Sequence, residues 1–395
     1  MTNKNSTYKR LGDYIREVDV RNKDLRCTNL LGLSIAKKFI PSIANMVGTD
    51  LRPYKIVKHN QFAYVPVTSR NGEKITVALY TGNEPAIISQ AYVVFEIVGT
   101  CDTVETVCTP SLQCDQLLPE YLMMWFRRAE FDRYARYHSH GSAREVFDWE
   151  EMCNVMLPIP SIEEQRSIVS RYKAIETRIA NNKQTIAKLE EAAQALYRKM
   201  FVDDVDVENL PDGWRMGTIS DFGEVITGKT PSSNNPEYFG KEVQFVTPGD
   251  FKGNRFVCTT ERYLSKEGVN KLKNKIIRKN DIVVTCIGSD MGKVVIATED
   301  CISNQQINAI RIKQPEYRDY LYVTIFGMKD QLLDLGSGSS TLPMLNKSDF
   351  EVTPIIVPPN NMLVSYANKA EQLSSYILFA QQENEKLTEM LSLMA

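Results

Sequence analysis

The stretch IVSRYKAIETRIANNKQTIAKLEEAAQALYRKM, residues 168–200, decides how the rest of the chain is read. Within it a seam runs through Tyr172, Ile175, Ile179, Asn182, Ile186, Leu189, Ala193, Leu196 and Met200, in strictly alternating steps of three and four. That spacing is the a/d repeat of a coiled-coil helix, whose 3.5-residue period keeps one narrow apolar stripe turned toward a partner. Lys188, Glu190 and Glu191 flank the stripe with charge. The alternation returns at the far end of the chain through Tyr366, Ala370, Leu373, Ile377, Ala380, Asn384, Leu387, Leu391 and Met394, with Glu385 and Lys386 beside it.

Each seam needs a partner, and the chain carries one of each. Because the polypeptide returns between them, the natural solution is an antiparallel pair in which a layers face d layers. Each seam has one polar intruder, Asn182 at d and Asn384 at a. A register that opposes these two also opposes Ile186 to Ala380 and pairs a with d in every other layer. The expectation is that the asparagines meet and fix the register. The plainer alternative is two ordinary surface helices that happen to fit heptads.

Working outward, the chain repeats itself once over about half its length, the first thing to establish in a sequence of this size. Arg10-Leu-Gly-Asp-Tyr14 resembles Thr218-Ile-Ser-Asp-Phe222, and Lys55-Ile-Val-Lys-His-Asn-Gln-Phe62 resembles Lys275-Ile-Ile-Arg-Lys-Asn-Asp-Ile282. Pro119-Glu-Tyr-Leu122 has a weaker counterpart in Asp319-Tyr-Leu321. Gly141-Ser142 precedes Leu157-Pro-Ile-Pro160 as Gly338-Ser339 precedes Ile356-Val-Pro-Pro359. Each proline pair leads into one of the seam helices. Short β-branched runs, Phe62–Val67, Tyr92–Ile97, Ile282–Cys286 and Lys293–Ala297, read as strands. The fold class is therefore α+β: two similar globular domains, mixed β-rich with helices, separated by two long helices that form an antiparallel coiled coil with a pseudo-twofold internal repeat. The boundaries fall at 1–160 for the first domain, 161–201 for the central helix, 202–213 for an acidic linker, 214–359 for the second domain and 360–395 for the C-terminal helix.

Composition fits two ordinary cores: 395 residues, 43% hydrophobic and 24% charged. Apolar runs such as Ile282–Val284 and Ile355–Val357 are too short to cross a bilayer. The polar N-terminus lacks the apolar core of a signal peptide. A cytoplasmic protein is expected. The cysteines, Cys27, Cys101, Cys108, Cys114, Cys153, Cys258, Cys286 and Cys301, show neither CxxC pairs nor zinc spacing, and read as reduced, mostly buried side chains. His138 and His140 form a His-x-His pair without acidic or cysteine partners at metal-ligand spacing, so no metal is expected. The formal net charge of −2 speaks against a nucleic-acid binder. Charge is uneven, however: Lys271–Lys279 holds five cations and no acid, Arg127–Arg144 holds five arginines, and Asp203–Glu208 concentrates acid in the linker.

Two strings suggest catalysis. Gly223-Glu-Val-Ile-Thr-Gly228-Lys229-Thr230 fits the phosphate-loop pattern, but a phosphate loop needs a helix beginning at Lys-Thr. Here Pro231 and Ser-Ser-Asn-Asn-Pro follow, and Glu-Val-Ile-Thr reads as strand. Asn235-Pro-Glu-Tyr238 lacks the second proline of a methyltransferase clamp. Three readings stay open at this point: a non-catalytic recognition scaffold, an enzyme using Gly223–Thr230, and a coiled-coil assembly protein whose domains bind other proteins. ATP binding lost on Lys229→Ala would favour the second, and absence of selective DNA binding the third.

Asp212-Gly213-Trp214, Gly228-Lys-Thr-Pro-Ser-Ser-Asn-Asn-Pro-Glu-Tyr-Phe-Gly240, Thr247-Pro-Gly-Asp250 and Ile302-Ser-Asn-Gln-Gln-Ile-Asn308 resemble the recognition-domain pattern of type I restriction-modification specificity subunits. Leu157-Pro-Ile-Pro-Ser-Ile-Glu-Glu-Gln165 resembles the start of that family's central helix. The resemblance covers essentially the whole chain. The first domain departs from it, lacking the Gly-Lys-Thr-Pro and Thr-Pro-Gly-Asp elements, and Val357-Pro-Pro-Asn-Asn-Met362 lacks the Glu-Gln. The resemblance implies a non-enzymatic subunit that binds double-stranded DNA at an asymmetric bipartite target. It implies two modification (methyltransferase) subunits as partners, with restriction subunits for cleavage. It implies no cofactor in this chain, S-adenosylmethionine and ATP with Mg belonging to the partners, and no membrane.

The central helix, about 40 residues and roughly 60 Å long, would hold the domains about 17 base pairs apart, a calliper for a split site. Candidate DNA contacts are polar and basic residues of the expected loops. They are Lys229, Thr230, Ser232, Lys252, Arg255, Gln305, Gln306 and Asn308 in the second domain, and Lys58, Asn60, Arg70, Lys74 and Arg144 in the first. Lys and Arg would grip phosphate, while Gln, Asn and some Arg could read base edges. Asn60 and Asn280 sit at matching turns before strands, where turn formation is the simpler role.

Overall fold

A 40-residue helix, Ile162–Phe201, is the longest element of the chain. It starts in a capping box: the Ser161 hydroxyl accepts the Glu164 N–H (3.3 Å), and the Glu164 carboxylate accepts the Ser161 N–H (3.2 Å). In a computed structural model of the chain, residues 8–42, 48–69, 74–98, 116–141, 144–337 and 343–394 are described. Arg70, Ser142, Gly338, Ser339, Cys101, Cys108 and Cys114 lie outside them. Two units emerge, residues 1–177 with 389–395, and residues 178–388.

The first unit runs β1 (Tyr8–Arg10), β2 (Ile15–Val18), β3 (Leu31–Ser34), β4 (Lys38–Pro41), β5 (Lys55–Val57), β6 (Phe62–Tyr64), β7 (Val77–Leu79), β8 (Ala86–Ile88) and β9 (Val93–Ile97). Helices α1 (Pro119–Phe126), α2 (Ala129–Tyr137) and α3 (Trp149–Asn154) follow, then β10 (Met156–Pro158) and the start of the long helix, α4. Its main sheet has the order β2-β9-β6-β7, with neighbours antiparallel. The core beneath is aromatic, with Phe62, Tyr64, Phe95, Phe126, Phe131 and Phe147 all fully buried. Val169 and Tyr172 of α4 join this core, and Leu391 and Met394 from the chain's end pack against it.

The second unit takes up the remainder of α4, then β11 (Arg215–Thr218), α5 (Ile219–Phe222), β12 (Gly223–Thr227), β13 (Phe239–Val246), β14 (Phe256–Val257), β15 (Arg262–Leu264), α6 (Lys266–Lys271), β16 (Ile282–Thr285), β17 (Val294–Ala297), β18 (Ile302–Ser303) and β19 (Ile307–Ile312). Helices α7 (Tyr317–Gly327), α8 (Lys329–Gly336) and α9 (Lys347–Glu351) follow, then β20 (Pro354–Val357) and α10 (Asn360–Met394). Its five-stranded sheet has the order β12-β19-β16-β17-β14, and a three-stranded sheet, β15-β13-β18, stands beside it.

The internal duplication is visible strand by strand. β2, β9, β6 and β7 have counterparts in β12, β19, β16 and β17, in the same order and the same antiparallel sense. In each unit the first strand pairs with the strand just before a long helix, β1 with β10 and β11 with β20. Tyr121 donates its hydroxyl to the Pro158 carbonyl (3.0 Å), and Tyr320 does the same to Ile356 (2.6 Å). Asn60 (φ 62°) and Asn280 (φ 74°) both take the left-handed conformation at the turn before β6 and β16, which asparagine tolerates better than most residues. Two β-rich globular units with two long helices that pack together make an α+β fold.

Within the second unit α4 and α10 run antiparallel. Asn182 donates its side-chain N–H to the Asn384 amide oxygen (3.0 Å) and to Glu383 (2.6 Å), which also takes a bidentate grip from Arg178. Ile186, Leu189 and Leu196 pack into the same core as Ala370 and Ile377. Every other seam residue named from the sequence (Ile175, Ile179, Leu373, Leu387, Leu391) is at least partly shielded, whereas most intervening positions are exposed. Gln165 shows why the Glu-Gln of the first helix start matters. Its side chain accepts the Leu118 N–H (2.8 Å) and donates to the Gln116 and Pro160 carbonyls, tying α4 to the start of α1.

Candidate nucleic-acid interface

Three of the second unit's sequence motifs converge at one end of its sheets. The β12–β19 pairing closes at Thr227 opposite Asn308. Just beyond it the Gly228 N–H donates to Ile307 (3.0 Å) and the Lys229 N–H to Ser303 (2.8 Å). A Cβ on Gly228 would come within 2.2 Å of the Asn304 carbonyl oxygen, so only glycine allows this approach. Parallel pairing of β13 with β18 then brings Val246 beside Ser303, and the Asn304 N–H donates to the Val246 carbonyl (3.1 Å). The Thr247–Asp250 turn follows directly and is closed by the Asp250 carboxylate, which accepts the Thr247 N–H and hydroxyl (both 2.8 Å).

On this framework Lys229 and Gln305 are exposed, and Thr230 and Gln306 are partly so. The Thr230 hydroxyl donates to the Gln305 amide oxygen (2.8 Å), which orients that amide and leaves its NH2 directed elsewhere. Asn304 and Gln306 hold each other by two hydrogen bonds, 2.9 and 3.1 Å. A fixed turn that presents a side-chain amide beside a lysine is suited to base-edge and phosphate contact. Lys252 and Ser232 are exposed on the adjoining loops.

Two residues of the candidate set are placed differently from the expected exposed loops. Asn308 is 2% exposed and sits inside β19, where its amide oxygen accepts the Thr227 hydroxyl (2.7 Å). Arg255 is also 2% exposed. Its guanidinium binds Glu190 of α4, Asp319 of α7 and Ser374 of α10, and lies 4.4 Å from the Tyr322 ring centroid. A cation so buried and so engaged is a structural tie, turned away from any phosphate at the surface. The phosphate-loop string is equally explained: Gly223–Thr227 is a sheet strand, and no helix starts at Lys229.

In the first unit the candidates divide between opposite ends of the β6–β7 pair. Lys58 and Asn60 belong to the turn before β6, where Asn60 donates its N–H to Tyr80 beyond the end of β7 (2.9 Å). Exposed Lys74 precedes β7, and exposed Arg144 lies next to Glu145, whose carbonyl accepts the Thr68 N–H beyond β6 (3.0 Å). By the internal duplication, the end carrying Lys74 and Arg144 corresponds to the convergent turns of the second unit, and the Lys58–Asn60 end does not. Lys23 is exposed in the segment that follows β2, as Lys229 is in the segment that follows β12. No motif flagged it, and only the strand correspondence brings it forward.

Other chemistry is sparse. Among the described residues no group of His, Cys, Asp and Glu is arranged to hold a metal, and no helix is long and apolar enough to cross a membrane. Burial pushes the Cys286 thiol up to about 12, far from a reactive thiolate.

Residues 211–389, which include the convergent turns, match the family model of the type I restriction modification DNA specificity domain. The chain is 26% identical over 349 residues to the Haemophilus influenzae HindI specificity subunit, covering 70% of this chain and 76% of that protein. It is 30% identical over 159 residues to the Methanocaldococcus jannaschii MjaIX specificity subunit, covering 39% and 36%. The fold matches that of the S subunit from M. genitalium with a TM-score of 0.60 at 12% identity, over 100% of this chain and 96% of that one. Residues 211–389 are thus similar to a type I restriction modification DNA specificity domain, and most of the chain is similar to a specificity subunit of a type I restriction enzyme.

Proposed function

We propose that this chain reads an asymmetric, two-part double-stranded DNA target, one part per recognition domain (1–160 and 214–359). Helices 161–201 and 360–395, with the linker 202–213, act as the spacer between them. On that target it seats two methyltransferase subunits, which carry S-adenosylmethionine, and restriction subunits, which carry ATP and Mg. The carrying observation is the convergence of Gly228–Pro231, Thr247–Asp250 and Asn304–Gln306 at one end of the second unit's sheets. In this reading Lys229, Lys252, Lys74 and Arg144 hold phosphate, and Gln305 and Gln306 face base edges. The two units share strand order yet differ at this end, which is why the two half-sites should be unlike.

The test is methylome sequencing of a host expressing the chain with its modification subunit. One bipartite motif should appear, and exchanging residues 214–355 for those of a relative should change only one half. A single undivided motif, or an exchange that alters both halves, would refute the reading.

A further inference from the structure

The second unit carries a basic segment that the convergent turns do not use. Residues 266–279 hold Lys266, Lys271, Lys273, Lys275, Arg278 and Lys279 against one acid, Glu267. The segment forms α6 and a short 3-10 turn at Lys273–Lys275. Its apolar residues point inward. Leu272 packs in one cluster with Phe245, Leu264 and Ile302, Val269 and Ile276 press on that cluster, and Ile277 is fully buried. Anchoring these residues forces the alternating lysines outward. Lys266, Lys271, Lys273, Arg278 and Lys279 are all exposed, and none forms a salt bridge with a described residue.

The first unit differs at part of its matching stretch. Lys55, the counterpart of Lys275, has a side chain only 6% exposed and lies 3.8 Å from both Glu17 and Asp19. Arg52 lies 4.0 Å from Asp50. Lys58, the counterpart of Arg278, is exposed as well, so what sets the second repeat apart is the density of cations over residues 266–275, in a chain whose net charge is −2.

We propose that Lys266, Lys271 and Lys273 grip the backbone phosphates of double-stranded DNA without reading sequence, alongside the turns that read it, whereas Arg278 and Lys279 belong to the turn before β16 at the other end of the sheet. The proposal rests on the DNA-reading function and extends it. Its strands connect the two: Phe245 and Ile302, against which Leu272 packs, lie on β13 and β18, which lead into the Thr247 and Asn304 turns. Protein is the less suitable polyanionic partner. The exposed residues between the cations are Glu267, Asn270 and Asn274, with no apolar or aromatic anchor of the kind a protein interface needs at its centre. Phosphate needs only spaced point charges, which lysine supplies.

The experiment compares the full chain, assembled with its modification subunit, with a variant carrying Lys266→Gln, Lys271→Gln and Lys273→Gln. Binding to a mixed-sequence duplex and to a duplex bearing the methylated motif is measured across a salt series. Each lost phosphate contact should flatten the log Kd against log salt slope by about 0.9. The triple variant should lose roughly 2–3 in slope and weaken on both duplexes by the same factor, with the methylated motif unchanged. Lysine-to-arginine replacements should keep the slope, and Lys273→Gln alone should lower it by about 1. An unchanged slope overturns the proposal, and so does an unchanged slope with impaired subunit assembly, which would make an acidic protein face the occupant. Failure of the recognition reading shows separately, as absence of a bipartite motif with the unaltered chain.

Discussion

Arg255 offers the sharpest test of how the second recognition unit is built. Its side chain is 1% exposed, and Asp319 beside it is 3% exposed. Nε and Nη2 donate to Glu190 at 3.0 and 2.6 Å, while Nη1 donates to Ser374 at 2.9 Å and Asp319 at 3.3 Å. Burial works against the guanidinium's charge, and the Glu190 carboxylate more than offsets it, so the group stays protonated at any working pH. Arg255→Met therefore removes one partner of a buried cluster and leaves two acids behind. Breaking such a pair costs about 3–5 kcal/mol. Arg318, which also binds Asp319 at 2.7 Å, keeps one acid partly compensated, so the lower end, about 3 kcal/mol, is expected. For a unit of this size that is a fall in Tm of about 6–12 °C. The assay is thermal unfolding of the full chain, with Lys252→Ala as an exposed neighbour that should leave the melting temperature unchanged. Adding Glu190→Gln and Asp319→Asn to Arg255→Met should restore much of the loss, because the penalty lies in the stranded charges. If Arg255→Met melts within a degree or two of the parent yet binds DNA more weakly, the guanidinium serves DNA and the structural account is wrong.

Two further outcomes follow from the same kind of bookkeeping. Replacing Asn384 by Leu removes the acceptor of the Asn182 N–H in a shielded seam and should cost about 1 kcal/mol. The double replacement with Asn182→Leu should cost less than the sum by at least about 0.5 kcal/mol; additive urea-unfolding energies would deny that the pair acts as a unit. Asp281 is 2% exposed, and burial pushes its carboxyl up to about 6 against the pull of the Arg278 and Ile312 N–H groups. The folded chain then binds this proton more tightly than the unfolded one, so stability falls as pH rises from about 4 to about 6 and is level above, by at most about 3 kcal/mol. Asp281→Asn should abolish that slope in paired unfolding curves at pH 4 and 7; a parent that gains stability relative to the variant over this window would reverse the reasoning.

The helices were open to reading because a heptad seam is a one-dimensional signal: alternation alone names Tyr172, Ile179, Ile377 and Leu391. The duplication was legible for a related reason, since turns such as Lys58–Gln61 and Arg278–Asp281 conserve their chemistry locally. The interface was only half legible. Gly228-Lys-Thr-Pro, Thr247-Pro-Gly-Asp and the Asn304 turn stand out as motifs, but their meeting depends on β13 pairing with β18 and β12 with β19, registers set by tertiary packing. Arg255 misled because Lys252-Gly-Asn-Arg255 looks like a solvated basic loop. The two acids that claim it, Glu190 and Asp319, lie on separate helices, and Ser374 on a third, all far away in the chain. Asn308 misled for the converse reason: the motif that begins in a turn at Asn304 ends inside a strand.

How far the two copies have diverged can be followed at one matched pair of positions. In the first unit the Gln61 amide oxygen accepts the Lys58 N–H (2.8 Å), and its NH2 donates to Glu96 (2.7 Å). In the second unit Asp281 accepts the Arg278 N–H (2.7 Å) and is drawn toward ionisation by Arg311. Strand registers make Glu96 and Arg311 counterparts, since Phe62 opposes Phe95 as Ile282 opposes Ile310. Both members of the pair have changed, and the turn has kept its shape and its left-handed asparagine. Where two copies preserve a backbone by such compensated exchange, that part of the fold is under a packing constraint. The reading end bears no such mark: Lys229, Thr230 and Gln305 have no like-for-like partners after β2. If, as proposed, the two units read unlike half-sites, freedom of side chains at one end of a sheet whose turns are held at the other is what that reading requires, and the loops after β2 and around Lys74 and Arg144 are then the place to look for the first half-site's contacts.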